Sequence, residues 1–184
     1  MHALVLRTSI LGDYSNSNRL LDDWLQARRP QQVTQRNLAA EPIPHLDGER
    51  FDALNAASSN PVQALSEQLI GEIEAADEIV IGVPMYNFGV PSQLKSWMDH
   101  LARAGRTFQY TPEGPVGLLQ DKPVTIMATR GGAYANTEND NQSPFIRQFL
   151  QFIGLKSVRF VYAETLATDQ REPALERAKA ELAA

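Results

Sequence analysis

The run Ile79-Val80-Ile81-Gly82-Val83 constrains this chain more than any other stretch. Four of its five residues are β-branched and none is polar, so it reads as a strand buried on both faces, as parallel strands between helix layers are. Pro84 closes the strand. Met85-Tyr86-Asn87-Phe88 follows, polar and aromatic at once, before Gly89 and Pro91 lead into a helical pattern. Residues 85–88 therefore occupy a strand-to-helix loop at the carboxyl edge of a sheet, where open α/β sheets bind ligands.

The rest of the chain alternates in the same way. His2 to Thr8 reads as strand one, and Ser17 to Arg29 as a helix with Leu20, Leu21, Trp24 and Leu25 on one face before Pro30. Val33 to Leu38 is a second strand, followed by a long irregular segment to about Asn60, a length that often marks a binding loop. Pro61 to Ala75 is a helix that delivers the chain to the central strand, and Gly89 to Ala104 is another, with Leu94, Trp97, Met98 and Leu101 at i, i+3, i+4, i+7. Arg106 to Leu119 alternates around Pro112-Glu113-Gly114-Pro115 and predicts a hairpin. Pro123 to Ala128 is the fourth strand, Thr129 to Gly132 its exit loop, and a polar, Asn-rich stretch runs on to Ser143. Phe145 to Ile153 is a helix ended by Gly154, Ser157 to Ala163 the fifth strand, and Glu172 to Ala184 a closing helix. Five strands alternating with helices call for a parallel sheet with right-handed crossovers, and they fit the flavodoxin-like order 2-1-3-4-5 in a three-layer α/β sandwich.

At 184 residues one domain, 1–184, is expected, large enough to bury roughly 70% of the surface of the unfolded chain. No apolar run approaches the ~20 residues of a membrane span, and Met1 to Arg7 lacks the basic start and cleavage site of a signal peptide, so a cytoplasmic protein is expected. The net charge of −5, without any Lys/Arg cluster, argues against nucleic acid as a partner. There is no cysteine, which excludes disulfides, thiolate nucleophiles and cysteine-ligated metals, so redox chemistry would have to come from a bound cofactor.

Three exit loops then carry the functional reading. In the first, Ser9 to Asn18 crowds hydroxyls and amides against the start of a helix, where free N–H groups and the positive end of the dipole allow Ser15, Asn16 and Ser17 to surround a phosphate without a lysine. Ser17 serves equally as a plain N-cap, and the loop alone leaves both readings open. It lacks the glycine spacing of Walker and Rossmann loops. In the second and third, Met85-Tyr86-Asn87-Phe88 and Thr129-Arg130-Gly131-Gly132 offer flat walls and, at the glycines, close backbone approach to an FMN ring, with N–H groups placed to stabilise charge near its pyrimidine edge. Taken singly, the first set reads as core and the second as a turn. Their convergence on one sheet edge favours a site.

At these loops the chain closely resembles the FMN-dependent NAD(P)H:quinone oxidoreductase/azoreductase family. The resemblance also runs through Pro42-Ile43-Pro44, Leu46-Asp47-Gly48, Gln93-Leu94-Lys95, Ala102-Arg103-Ala104-Gly105, Thr107-Phe108, Tyr110-Thr111, Gly114-Pro115, Gly117-Leu118 and Phe152-Ile153-Gly154. It implies a homodimer with two FMN sites near the interface that reduces quinones and azo compounds with two electrons from NADH or NADPH. The expected mechanism is a ping-pong cycle in which one cleft serves both substrates, with no catalytic side chain beyond the flavin. By the same resemblance Ser9, Ser15, Asn16 and Ser17 hold the ribityl phosphate. Residues 85–88 and 129–132 flank the ring, and Tyr110 and Phe152 match aromatics that line the substrate cleft in that family, from the same chain or across the dimer. The alternative is a flavodoxin-type FMN electron carrier acting on protein partners, disfavoured by the different phosphate loop and the aromatic hairpin.

Overall fold

A computed structural model describes residues 1–183. The strands are β1 (His2–Arg7), β2 (Gln32–Asn37), β3 (Glu78–Pro84), β4 (Phe108–Thr111), β5 (Gly114–Gly117), β6 (Val124–Thr129) and β7 (Val158–Ala163). The helices are α1 (Asn16–Arg28), α2 (Gly48–Asn55), α3 (Pro61–Ala75), α4 (Ser92–Leu101), α5 (Gln142–Phe152) and α6 (Arg171–Ala183). The last residue of the expected closing helix, Ala184, lies outside the described residues. The main sheet is parallel throughout, in the order β2-β1-β3-β6-β7. With β4 and β5 set apart as an antiparallel hairpin, this is the expected 2-1-3-4-5 arrangement.

Two cores follow from the period of two along each strand. Ala3, Val5, Val80, Met127 and Val161 face α1 and α6, packing on Leu20, Leu21, Trp24, Leu175 and Leu182. Leu4, Leu6, Ile79, Ile81 and Ile126 point the other way, into the layer of α3, α4 and α5, against Leu69, Ile73, Trp97, Met98 and Leu150. β3 is buried at every position, which explains its lack of polar alternation. Among the described residues no helix is long and apolar enough to cross a membrane.

The main departure from expectation is α2, inside the segment that reads as irregular up to Asn60. Asp47 caps it by accepting from the Arg50 N–H at 2.8 Å, but Leu54 is its one buried side chain, so periodicity carried almost no signal. Pro84 is paired within β3, opposite Thr129, rather than ending the ladder before it. Proline is tolerated at that terminal position because the ladder needs few further N–H donors there.

Glu78, at the opposite end of β3 from the ligand-binding edge, is 8% exposed and its carboxyl has no hydrogen-bond partner among the described residues. Burial pushes its pKa above the ordinary 4.5, with Arg28 and Arg159 pulling weakly the other way. A raised folded-state pKa means that the protonated form is favoured by folding. That contribution is complete below the unfolded value and is lost as pH rises through the folded one. Glu78→Gln is therefore expected to be more stable than the parent at neutral pH and to lose the parent's decline in stability above pH 4.5. Urea midpoints between pH 4 and 8 check this, and parallel pH curves for the two proteins would contradict it.

Candidate functional site

The carboxyl ends of β1, β3 and β6 converge, and the exit loop of β7 lies beside them. Between these loops runs a cleft of about 210 Å³ lined by Ser9, Leu11, Ser15, Asn16, Pro84, Met85, Tyr86, Thr129, Arg130, Gly131, Leu166 and Ala167. A larger polar cleft of about 550 Å³ meets it at Ser15 and is lined by Arg7, Asp13, Asn18, Arg19 and Asp22, among others.

On the β1 side, Ser15 is the N-cap of α1, its Oγ accepting from the Asn18 N–H at 3.2 Å. Ser15 Oγ lies 3.0 Å from Ser17 Oγ. Both serines are buried, and the N–H groups of Asn16 and Ser17 have no acceptor among the described residues. A helix start with two unspent donors and two hydroxyls is a site for an anion. Gly82 permits it. A Cβ there would stand 2.8 Å from Leu21 Cδ1 and 3.2 Å from the Ser17 carbonyl oxygen, so glycine lets the start of α1 lie close on β3 without a shift of either neighbour. Ser9 Oγ reaches the Tyr86 hydroxyl at 3.1 Å, tying the first loop to the second.

In the second loop, Tyr86 and Gly89 close a tight turn with reciprocal bonds, Tyr86 N–H to Gly89 O at 3.2 Å and Gly89 N–H to Tyr86 O at 3.0 Å. The two residues inside it are left-handed, Asn87 with φ 48° and Phe88 with φ 65°. Asparagine tolerates this, whereas a bulky residue there carries ~1–3 kcal/mol of strain. Phe88 is exposed, at the rim, its ring edge-on to Tyr134 with centroids 5.8 Å apart.

In the third loop the Arg130 N–H donates to Ala163 O at 2.9 Å, whereas at the two glycines the carbonyls are engaged and the donors are free. The oxygens of Arg130, Gly131 and Gly132 accept from the N–H groups of Leu166, Ala167 and Thr165 at 3.1, 3.1 and 3.2 Å, while the Gly131 and Gly132 N–H groups have no acceptor among the described residues. A Cβ on Gly132 would meet the Tyr134 ring at 2.9 Å.

The side chain of Arg130 does not flank this cleft. Only its backbone lines it, and the guanidinium is fully buried behind, donating to Asp140 Oδ1 (2.9 Å), Ser143 Oγ (2.7 Å), Glu164 Oε1 (3.2 Å) and Gln142 Oε1 (3.4 Å), with its carbon 4.9 Å from the centroid of Tyr162. Two carboxylates, a hydroxyl and an amide oxygen offset the desolvation of the guanidinium there, which is what allows it to lie buried. Burial alone would raise the pKa of Asp140, but hydrogen bonds from the Ser143 N–H and Arg130, together with the guanidinium charge, hold it below the ordinary carboxylate value. The ionised pair stabilises the fold above that ordinary value, and the contribution disappears as pH falls through the lowered one.

Tyr110 and Phe152 sit apart from the cleft. Tyr110 is 76% exposed on the hairpin, edge-on to Phe108, whose ring lies 4.3 Å from that of Phe152. Phe145, Phe149 and Phe152 line a separate groove of about 300 Å³. Within one chain, then, Ser9, Ser15, Asn16, Met85, Tyr86, Thr129 and Gly131 come together, with Ser17 behind them and Asn87, Phe88 and Gly132 alongside. Sequence reasoning missed Leu11, Leu166 and Ala167, and the supporting Asp140, Gln142 and Glu164. The strand order held the signal for Leu166 and Ala167, because β7 adjoins β6 and its exit loop must lie next to Gly131.

A family model described as flavodoxin-like fold matches residues 1–184. An FMN-dependent NADH:quinone oxidoreductase of Alcanivorax borkumensis is 50% identical, over 100% of this chain and 99% of its own. One from Cellvibrio japonicus is 46% identical over 97% and 95%. Among solved structures, an azoreductase from Bacillus anthracis superposes with a TM-score of 0.83 at 26% identity, covering 99% of this chain and 96% of that one. The chain belongs to the flavodoxin-like FMN-dependent NADH:quinone oxidoreductase family.

Proposed function

We propose that this protein is an FMN-dependent oxidoreductase that takes two electrons from NADH and passes them to quinones and azo compounds. The observation that carries the reading is the meeting, on one sheet edge, of an anion site at the start of α1 with unspent N–H donors at Gly131 and Gly132. The residues present fit FMN. Ser15, Ser17 and the N–H groups of Asn16 and Ser17 would hold its phosphate, and Met85 to Phe88 and Thr129 to Gly132 would flank its ring. FMN, when bound, supplies the hydride-accepting and two-electron-donating chemistry that a chain without cysteine does not have.

The protein's own groups bind and orient. The α1 dipole and hydroxyls would anchor the anionic end, and the unspent Gly131 and Gly132 N–H groups would be available to stabilise negative charge on the ring without proton transfer from a side chain. The exposed Phe88 and the open cleft leave room for one flat substrate at a time, so donor and acceptor use the same space in turn.

The working unit is a homodimer. Tyr110 and the Phe145/Phe149/Phe152 groove present aromatic surface away from the cleft of their own chain, and a second copy gives that surface a partner and brings aromatic walls to the cleft. Use of NADH as donor fits a cytoplasmic site of action. Initial rates with NADH and a benzoquinone at several fixed quinone concentrations test the proposal. Parallel double-reciprocal lines are expected, and intersecting lines would contradict alternating use of one cleft.

A further inference from the structure

The strained turn that carries Asn87 and Phe88 is held from behind by one side chain. Gln142, the first residue of α5 and almost fully buried, donates through Nε2 to two carbonyls, Pro84 O and Gly89 O, each at 3.0 Å. These oxygens flank the turn at either end. The amide's own oxygen faces the Arg130 guanidinium, which is held in turn by Asp140 and Glu164. Glu164 Oε1 also accepts from the Tyr134 and Ala135 N–H groups at 2.7 and 2.8 Å, and Tyr134 is the residue packed over Gly132 and against Phe88. Backbone in a left-handed conformation at a phenylalanine persists only where its surroundings over-determine it.

We infer that Gln142 and Arg130 are positioning residues, a buried latch that fixes the 85–89 turn and the 131–135 loop relative to each other and so sets the walls of the cofactor cleft from outside it. Neither side chain need touch the cofactor. A donated pair from one amide is worth more here than two surface bonds, since loss of Gln142 would take this donor from the Pro84 carbonyl, leave the Gly89 carbonyl with the 3.2 Å bond from the Tyr86 N–H, and leave the guanidinium a partner short in a dry interior. This inference rests on the FMN reading for its consequence but not for its mechanics.

The test uses Gln142→Leu and the milder Arg130→Lys in the full chain. The control is Lys122→Met, which removes a capping ammonium bonded to the Ile73, Glu74 and Ala76 carbonyls at the far end of the sheet. Amide hydrogen exchange in the FMN-free protein reads the latch directly. Exchange at Tyr86 and Gly89 is expected to rise at least tenfold in Gln142→Leu and less in Arg130→Lys, and to stay at the parental rate in Lys122→Met. FMN titration by fluorescence quenching reads the consequence: at least a tenfold weaker Kd in Gln142→Leu, with the midpoint potential of bound FMN displaced, against an unchanged Kd in a control of similar thermal stability. Unchanged exchange at Tyr86 and Gly89, or a Kd that tracks melting temperature alike in all three variants, would overturn the latch. A parent protein that binds no FMN would overturn the proposed function and leave the exchange result to decide the latch.

Discussion

Ser15→Asp is expected to leave α1 capped and to abolish FMN retention. Ser15 Oγ accepts from the Asn18 N–H, and an aspartate carboxylate performs that role as well as a serine does, with a further gain from a negative charge at the positive end of the helix. Thermal stability should therefore hold or rise slightly. The same carboxylate would lie beside the place where the phosphate binds. Two like charges ~4 Å apart repel by about 4 kcal/mol at the effective dielectric of a protein surface, and a phosphate carries nearly two, so even after screening a loss of at least ~100-fold in affinity is expected. Ser15→Ala separates the two roles from the other side, losing about 1 kcal/mol of cap and only a single hydroxyl contact. Melting curves together with FMN titration decide the matter. If Ser15→Asp bound FMN like the parent, the anion would not sit at this helix start.

The second large effect is expected far from the cleft, where the β4–β5 hairpin meets the end of α5. Gly154 has φ +111°, and a Cβ there would stand 2.5 Å from the Leu119 carbonyl oxygen. Gly117 faces it, so that its own Cβ would be 2.1 Å from Gly154 N. Both obstacles are backbone, which cannot swing aside as a side chain does. Gly154→Ala combines an unfavourable backbone conformation with overpacking, and about 3 kcal/mol of destabilisation is expected. For a chain of this length that lowers Tm by ~6–12 °C. The Leu119 N–H to Ile153 O bond, at 3.0 Å, and the Phe108–Phe152 contact are the features that would move, so quinone turnover should suffer more than FMN binding. An unchanged urea midpoint would mean that the hairpin docks elsewhere.

The architecture was legible because burial wrote itself into the chain. β3 has no polar residue between Ile79 and Val83 because both faces are covered, and α4 shows its full i, i+3, i+4, i+7 stripe because Leu94, Trp97, Met98 and Leu101 all enter one core. α2 was not legible for the same reason reversed: with Leu54 alone buried, nothing in its composition separates it from a loop. At the site, the residues of the three exit loops could be named because each loop departs from what its secondary structure would choose. The direction of a side chain could not. Arg130 reads like its neighbours Gly131 and Gly132, yet its guanidinium turns inward, because its compensating carboxylates, Asp140 and Glu164, come from segments 10 and 34 residues away in the chain. Gln142 was invisible for a related reason, since a single glutamine opening a helix gives no sign that its amide spans Pro84 and Gly89.

The most direct measurement is to load the purified protein with FMN, exclude oxygen, add NADH in slight excess and follow the visible flavin band. Bleaching within seconds, and recovery of the band on addition of a quinone, is the result expected of an NADH:quinone oxidoreductase. A protein that holds FMN but whose band survives NADH, while bleaching with a chemical reductant, would retain the cofactor site and contradict the function.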